Sequence, residues 1–359
     1  MAKNYEFDFI GQANFYSEKE RSVKMYFSEP ENGVNEETGI LLIIAGYGGN
    51  SNSNIYKKMR MSFADEYNLV TLQCDYMGWE FMQLPATQNL NLKWYFEHMP
   101  KEEYEMFLEK ANKEEAMEYY NIYGLKLIED IKETSDNYNE QGCLQAIDNL
   151  DALKILIDIL DSNGFLYNKK KMIAYGHSHG AYLAYLCNIF QPDVFSMIID
   201  NSSYLFPLYV NNNRYYSLFR DYEIDIIFKY MIATIPIDTG IYDINKLYTG
   251  FKNKAKIISF HGANDKLISL CDKEKFILSV TNAIIEVIHE SNVNDMFGSS
   301  EHGLQADFLK VFGYVCNKYS EFTIKKTEEK FYENVVETDT HYYKIDMSLG
   351  IPRIIPSIK

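Results

Sequence analysis

The residues Gly176-His177-Ser178-His179-Gly180 join the run KKKMIAY to the run AYLAYLCNIF. The first run reads as a strand and the second as a helix, so the serine sits in a sharp strand-to-helix turn with its hydroxyl projecting from the sheet. Gly176 and Gly180 leave room where a Cβ would meet neighbouring chain. A serine hydroxyl is a weak nucleophile at neutral pH and needs a base beside it. Two later segments can supply partners: HGANDKLI at 261–268 offers Asp265, and EHGL at 301–304 offers His302 on a loop before a helical run. A third feature is the turn GYGGN after the apolar run ILLIIA, where Gly46, Gly48 and Gly49 let backbone pass close to a reacting centre.

Elements must hold these residues together. ILLIIA at 40–45 has the continuous apolar character of a strand buried on both faces. The stretch 55–67 has apolar positions at 55, 59, 63 and 67, which is helical spacing. LVTLQCD, KMIAY, FSMIIDNSS, AKIISFHGAND and AIIEVI read as further strands. Residues 143–162 form an amphipathic helix, with Leu150, Leu153, Ile157 and Leu160 on one face and Asp148, Asp151 and Asp158 mostly off it. Strands alternating with helices predict a doubly wound, mainly parallel α/β sheet. Residues 76–140 break this rhythm with charged, aromatic, mostly helical patterns, and 204–250 break it again. Both are read as cap insertions in a core of 1–75, 141–203 and 251–321. The C-terminal extension, 322–359, is expected to form a hairpin or an oligomer arm.

This arrangement resembles the α/β-hydrolase superfamily, whose nucleophile, acid and base follow one another in this order. The resemblance spans about Ile40 to Tyr319 outside the insertions. It implies that His302 takes the proton of Ser178 and passes it to the leaving group, while Asp265 fixes the imidazole. The oxyanion would be received by the backbone N–H of His179 and by one from the glycine loop, that of Tyr47. The loop has Ala45 where that superfamily often carries histidine. The chain is also similar to an uncharacterised bacterial hydrolase-like family found beside flagellin-glycosylation loci, which implies a sugar or glycan substrate.

Each residue has a plainer reading. Ser178 could cap the helix, Asp265 could be an Asx-turn residue, and His302 could lie on the surface. Asp200 is the alternative acid. His289 is a rival base at a strand end, His261 is expected to brace its loop, and His341 lies in the tail. Asp75 reads as scaffold. His177 and His179 have no companion ligands at metal spacing, so no metal and no cofactor are expected. The glycine loop lacks G-K-[ST], which speaks against a P-loop.

Composition narrows the rest. At 47% apolar and 24% charged residues the chain has an ordinary globular balance. A net charge of -16 argues against nucleic acid or an anionic membrane as a partner. The five cysteines are scattered without a C-x-x-C pair, so a reducing cytoplasm is expected. No apolar leader or membrane-length run is present. The expected function is that of a serine hydrolase cleaving a carboxylic ester, with small-acyl or sugar O-acyl esters as the sharper expectation. A peptidase of the prolyl-oligopeptidase type, an acyltransferase and a non-catalytic binding protein are the alternatives.

Overall fold

A computed structural model describes residues 1–83, 101, 102, 105, 125–129, 131–219, 223–322, 324 and 327–359. Eight strands form the central sheet: β1 (Lys3–Gly11), β2 (Arg21–Glu29), β3 (Gly39–Ile44), β4 (Leu69–Cys74), β5 (Met172–His177), β6 (Met197–Asn201), β7 (Lys256–Gly262) and β8 (Ala283–Ile288). Their order is β1-β2-β4-β3-β5-β6-β7-β8. The pairs β1–β2 and β2–β4 are antiparallel, and every other pair in the sheet is parallel. This is the mainly parallel sheet that the alternating pattern predicts.

Helices cover both faces. On one lie α2 (Cys143–Ser162), α3 (His179–Phe190) and α4 (Leu270–Ser279); on the other lie α1 (Asn54–Tyr67) and α5 (Phe308–Lys318). Successive strand side chains point to opposite faces. Ile40, Leu42 and Ile44 of β3 therefore join the core under α2 and α3, while Leu41 and Ile43 join the core under α1 and α5. That two-sided burial is why the segment carries no polar alternation.

Three expectations change. Asp148 and Asp151 of α2 are buried rather than solvated. Asp148 pairs with Arg21 at 2.8 Å, and Asp151 pairs with Arg353. A charge can enter a core when a partner from another element meets it, and helical periodicity carries no information on that partner. The C-terminal segment is more than the expected hairpin. Its strands Asn334–Glu337, His341–Asp346 and Arg353–Ile358 make a three-stranded antiparallel sheet. Val336, Tyr343, Ile345 and Ile354 from it are buried in the core beside α2 and α3. Finally, the mostly helical reading of 76–140 fails at Leu125–Glu129, which is a strand. It pairs in parallel with Glu223–Phe228, which pairs antiparallel with Arg214–Phe219. Both proposed insertions thus contribute to one small sheet. Most of 84–124 lies outside the described residues. Among the described residues, no helix is long and apolar enough to cross a membrane.

Candidate active site

The turn after β5 places Ser178 at φ 52° and ψ -116°, a backbone conformation rare for a residue with a Cβ. Such strain costs about 1–3 kcal/mol and persists only where the surroundings impose it. The surroundings here are tight. A Cβ on Gly180 would lie 2.1 Å from the Ile44 carbonyl oxygen, and one on Gly176 would lie 2.3 Å from the Ala181 nitrogen. The two glycines let α3 start against β3 and force the serine into its turn. Ser178 makes no side-chain capping bond to α3, so the plain N-cap reading does not describe it.

The Ser178 hydroxyl instead lies 2.8 Å from His302 Nε2, and His302 Nδ1 lies 2.8 Å from Asp265 Oδ2. An ionised carboxylate only accepts, so Nδ1 carries the proton and Nε2 is free to accept from the serine. Asp265 Oδ1 accepts from the backbone N–H groups of Leu267 and Ile268 at 2.8 and 3.1 Å. It is therefore an Asx-turn residue and the histidine's partner at once. Burial pushes its pKa up, but His302 and these two amides outweigh that and hold it below the ordinary carboxylate value.

Asp200, the alternative acid, is spent elsewhere. Buried at the end of β6, it accepts from Lys273 at 2.7 Å and from the hydroxyls of Tyr185 and Ser259, each at 2.8 Å. Burial opposes its ionisation, and Lys273 overcomes it. Lys273→Met is expected to cost about 3–5 kcal/mol of stability, since Asp200 would be left buried without its counter-charge. Denaturant unfolding of the variant measures this; a loss below about 1 kcal/mol would contradict it.

The other histidines separate. His289 is exposed. His261 is buried and donates from Nε2 to the Ile268 carbonyl at 3.1 Å, bracing its loop as expected. His341 lies 3.5 Å from Asp238, in the tail. His179 Nε2 donates to Gln145 Oε1 at 2.6 Å, and its Nδ1 is buried with no partner among the described residues. His177 faces away from it, edge-on to Phe308 at 5.2 Å and hydrogen-bonded with the Gly303 backbone. Both are held neutral. Burial takes His179 to about 3; burial and the neighbouring His302 take His177 to about 4.

Those depressed values have a sign. An unfolded histidine titrates near 6.5, so the unfolded chain binds protons before these two sites do. Stability from them is complete above about pH 6.5 and drains as pH falls toward 4. His177→Gln is expected to flatten that acid loss, as read from melting temperatures across the range; an unchanged slope would refute it.

The glycine loop lies beside the turn. A Cβ on Gly46 would stand 2.5 Å from the His177 carbonyl oxygen, and Gly48 takes φ 76°. Gly49 is packed against Ala45. The Tyr47 ring meets His179 edge-on at 5.2 Å, and its hydroxyl donates to Gln141 Oε1 at 2.6 Å. The N–H of His179 is the first in α3, one of the amides a helix leaves without an internal partner.

Further neighbours pack around this line. Tyr204 stacks on His302, with ring centroids 5.6 Å apart and planes 8° from parallel, and its side chain interacts with Ser178. Gly262 passes so close to the His302 loop that a Cβ would lie 2.2 Å from the Ser300 carbonyl oxygen. Of the other aromatic residues in the second insertion, Phe206 and Tyr209 are half-buried and Tyr215 is exposed. The side chains of Tyr216 and Phe219 lie outside the described residues. Asp75 accepts from the Tyr26 hydroxyl at 3.0 Å, a scaffold contact.

Residues 81–213 match a family described as a protein of unknown function, DUF2920. No curated protein matches the chain. Among solved structures, the chain is similar to Est1E from Butyrivibrio proteoclasticus with ferulic acid bound, at 12% identity over 84% of this chain and 95% of that one, with a TM-score of 0.45. It is similar to a fungal esterase from Rhizomucor miehei at 11% identity, covering 89% and 83%, with a TM-score of 0.47. It is similar to the acylaminoacyl peptidase of Pyrococcus horikoshii at 13% identity, covering 92% of this chain and 43% of that one, with a TM-score of 0.48. The strand order, the turn after β5 and the order of the three motifs stand independently of these scores, and by them the chain has the α/β-hydrolase fold.

Proposed function

We propose that this protein is a serine hydrolase that cleaves a carboxylic ester through an acyl-enzyme. The observation that carries the reading is the continuous line Ser178 Oγ, His302 Nε2, His302 Nδ1, Asp265 Oδ2, with both links at 2.8 Å. In this reading His302 removes the hydroxyl proton as Oγ bonds to the ester carbon. The carbonyl electrons move onto oxygen, where the backbone N–H groups of Tyr47 and His179 receive them. Collapse expels the alcohol, which takes the proton from His302, and water repeats the sequence to release the acid. Asp265 orients the imidazole and stabilises its cation.

The sharper proposal is a small-acyl ester on a sugar. The tyrosines Tyr47, Tyr204, Tyr209 and Tyr230 cluster beside the turn and offer ring faces and hydroxyls together. Residues 76–140 and 204–250 would cap the site. Fluorophosphonate labelling with peptide mass spectrometry tests the mechanism. A stoichiometric adduct on Ser178, absent from His302→Ala, is expected. Folded wild-type protein that takes no adduct would overturn the hydrolase reading in favour of a binding protein. A screen of acetylated sugars against short alkyl esters then tests the substrate.

A further inference from the structure

Among the described residues, three cations of the core pair with buried carboxylates, and two buried arginines do not. Arg21 pairs with Asp148, Arg353 with Asp151 and Lys273 with Asp200. Arg60 has no carboxylate within ion-pairing distance among the described residues and donates to the Ser51 carbonyl and to Gln73 Oε1, with Asp75 only in its field. Arg214, which begins the strand Arg214–Phe219, is 9% exposed, yet no carboxylate among the described residues lies within ion-pairing distance. Its guanidinium carbon stands 4.8 Å from the Tyr47 ring centre and 5.1 Å from that of Phe228, and Nη1 donates to the Met82 carbonyl at 3.0 Å. The Tyr230 hydroxyl is a further hydrogen-bond partner; aromatic faces, a carbonyl and a hydroxyl soften a buried charge but do not neutralise it.

The position matters as much as the missing partner. The ring beneath the guanidinium is that of Tyr47, which touches His179, the residue after Ser178. The charge acts on the hydroxyls of Tyr204, Tyr209 and Tyr230, and Tyr204 is the ring stacked on His302. The guanidinium therefore lies over a ring that also meets His179, next in the chain to Ser178. It carries more N–H donors than its described partners use, in a planar fork that matches a carboxylate.

We infer that Arg214 is a specificity residue that grips an oxyanion, a carboxylate in first place, on the same molecule whose ester meets Ser178. The placement of the ester rests on the hydrolase reading; the anion site itself does not. In an acidic chain the site would select an anionic substrate at close range, where a buried arginine outweighs the distant negative charge.

The test uses Ser178→Ala protein, which cannot turn substrate over, with monomethyl succinate, its neutral twin dimethyl succinate, and inorganic phosphate, each followed by calorimetry. Monomethyl succinate is expected to bind about 10- to 150-fold tighter than the diester, the range of a charge-assisted hydrogen bond. Arg214→Met in the same background should abolish that preference, and Arg214→Lys should keep part of it. Phosphate binding more tightly than the monoester, and lost with Arg214, would support the oxyanion site while assigning it to a phosphorylated substrate. Equal affinity for the two succinates, or a preference that survives in folded Arg214→Met, overturns the proposal. If Arg214→Met fails to fold, an Arg214→Lys protein with undiminished preference overturns it equally. In wild type, the ratio of kcat/KM for the two succinates should follow the binding ratio. Preferential binding without any turnover or fluorophosphonate adduct would retain the anion site and discard the hydrolase reading.

Discussion

Ser178→Ala is expected to lower ester turnover by about 10⁴- to 10⁶-fold while leaving the fold intact. The variant keeps the Cβ, so the packing set by Gly176 and Gly180 is undisturbed and the unusual backbone at φ 52° is retained. What disappears is the hydroxyl placed 2.8 Å from His302 Nε2 to become a nucleophile. Triad members act as a unit, so His302→Ala should fall nearly as far, and the double variant little further. Ser178→Gly separates chemistry from strain. It removes the nucleophile and also the Cβ that makes positive φ costly, so it is expected to raise the melting temperature while abolishing turnover. Steady-state kinetics beside thermal unfolding read both effects. Near-wild-type turnover in folded Ser178→Ala would sink the mechanism.

The strands and the turn around Ser178 were legible because their signatures are local. The turn after β5 needs glycine at 176 and 180 for steric reasons that act within a few residues, and β3 announces its two-sided burial by ILLII alone. Asp265 was singled out through the resemblance of HGANDKLI to an acid-bearing segment, with an Asx turn as the plainer alternative, and its two oxygens make both kinds of contact. What stayed hidden depends on distant partners. Leu125–Glu129 looks helical beside its neighbours and becomes a strand through pairing with Glu223–Phe228, about a hundred residues away. Asp148 and Asp151 sit inside because Arg21 and Arg353 come from opposite ends of the chain. Tyr204 is one of several aromatic residues in its segment and Arg214 carries no spacing signal, so neither could be placed from sequence. Their significance is that one ring lies flat on His302 and one charge lies over Tyr47.

Asp265→Asn is the second large effect, with a fall of about 10⁴-fold in kcat and little change in stability. The effect turns on which nitrogen of His302 holds the proton. The Asp265 carboxylate accepts from Nδ1, leaving Nε2 bare toward Ser178. An asparagine can keep its oxygen on the amides of Leu267 and Ile268, preserving the turn those two bonds define. Its NH₂ then faces His302 and donates, so Nδ1 must accept and the proton moves to Nε2. That tautomer cannot take a proton from serine. The turn and the tautomer thus demand different things of one side chain, and asparagine meets only the first. Asp265→Ala loses both, and should add a stability loss of about 1–2 kcal/mol from the unpaired amides. The comparison decides the residue's role. If Asp265→Asn keeps kcat within about tenfold of wild type, Asp265 only shapes its loop and another group orients His302. If Asn and Ala are equally slow but only Ala is destabilised, the orienting role and the turn role are separate and both belong to Asp265.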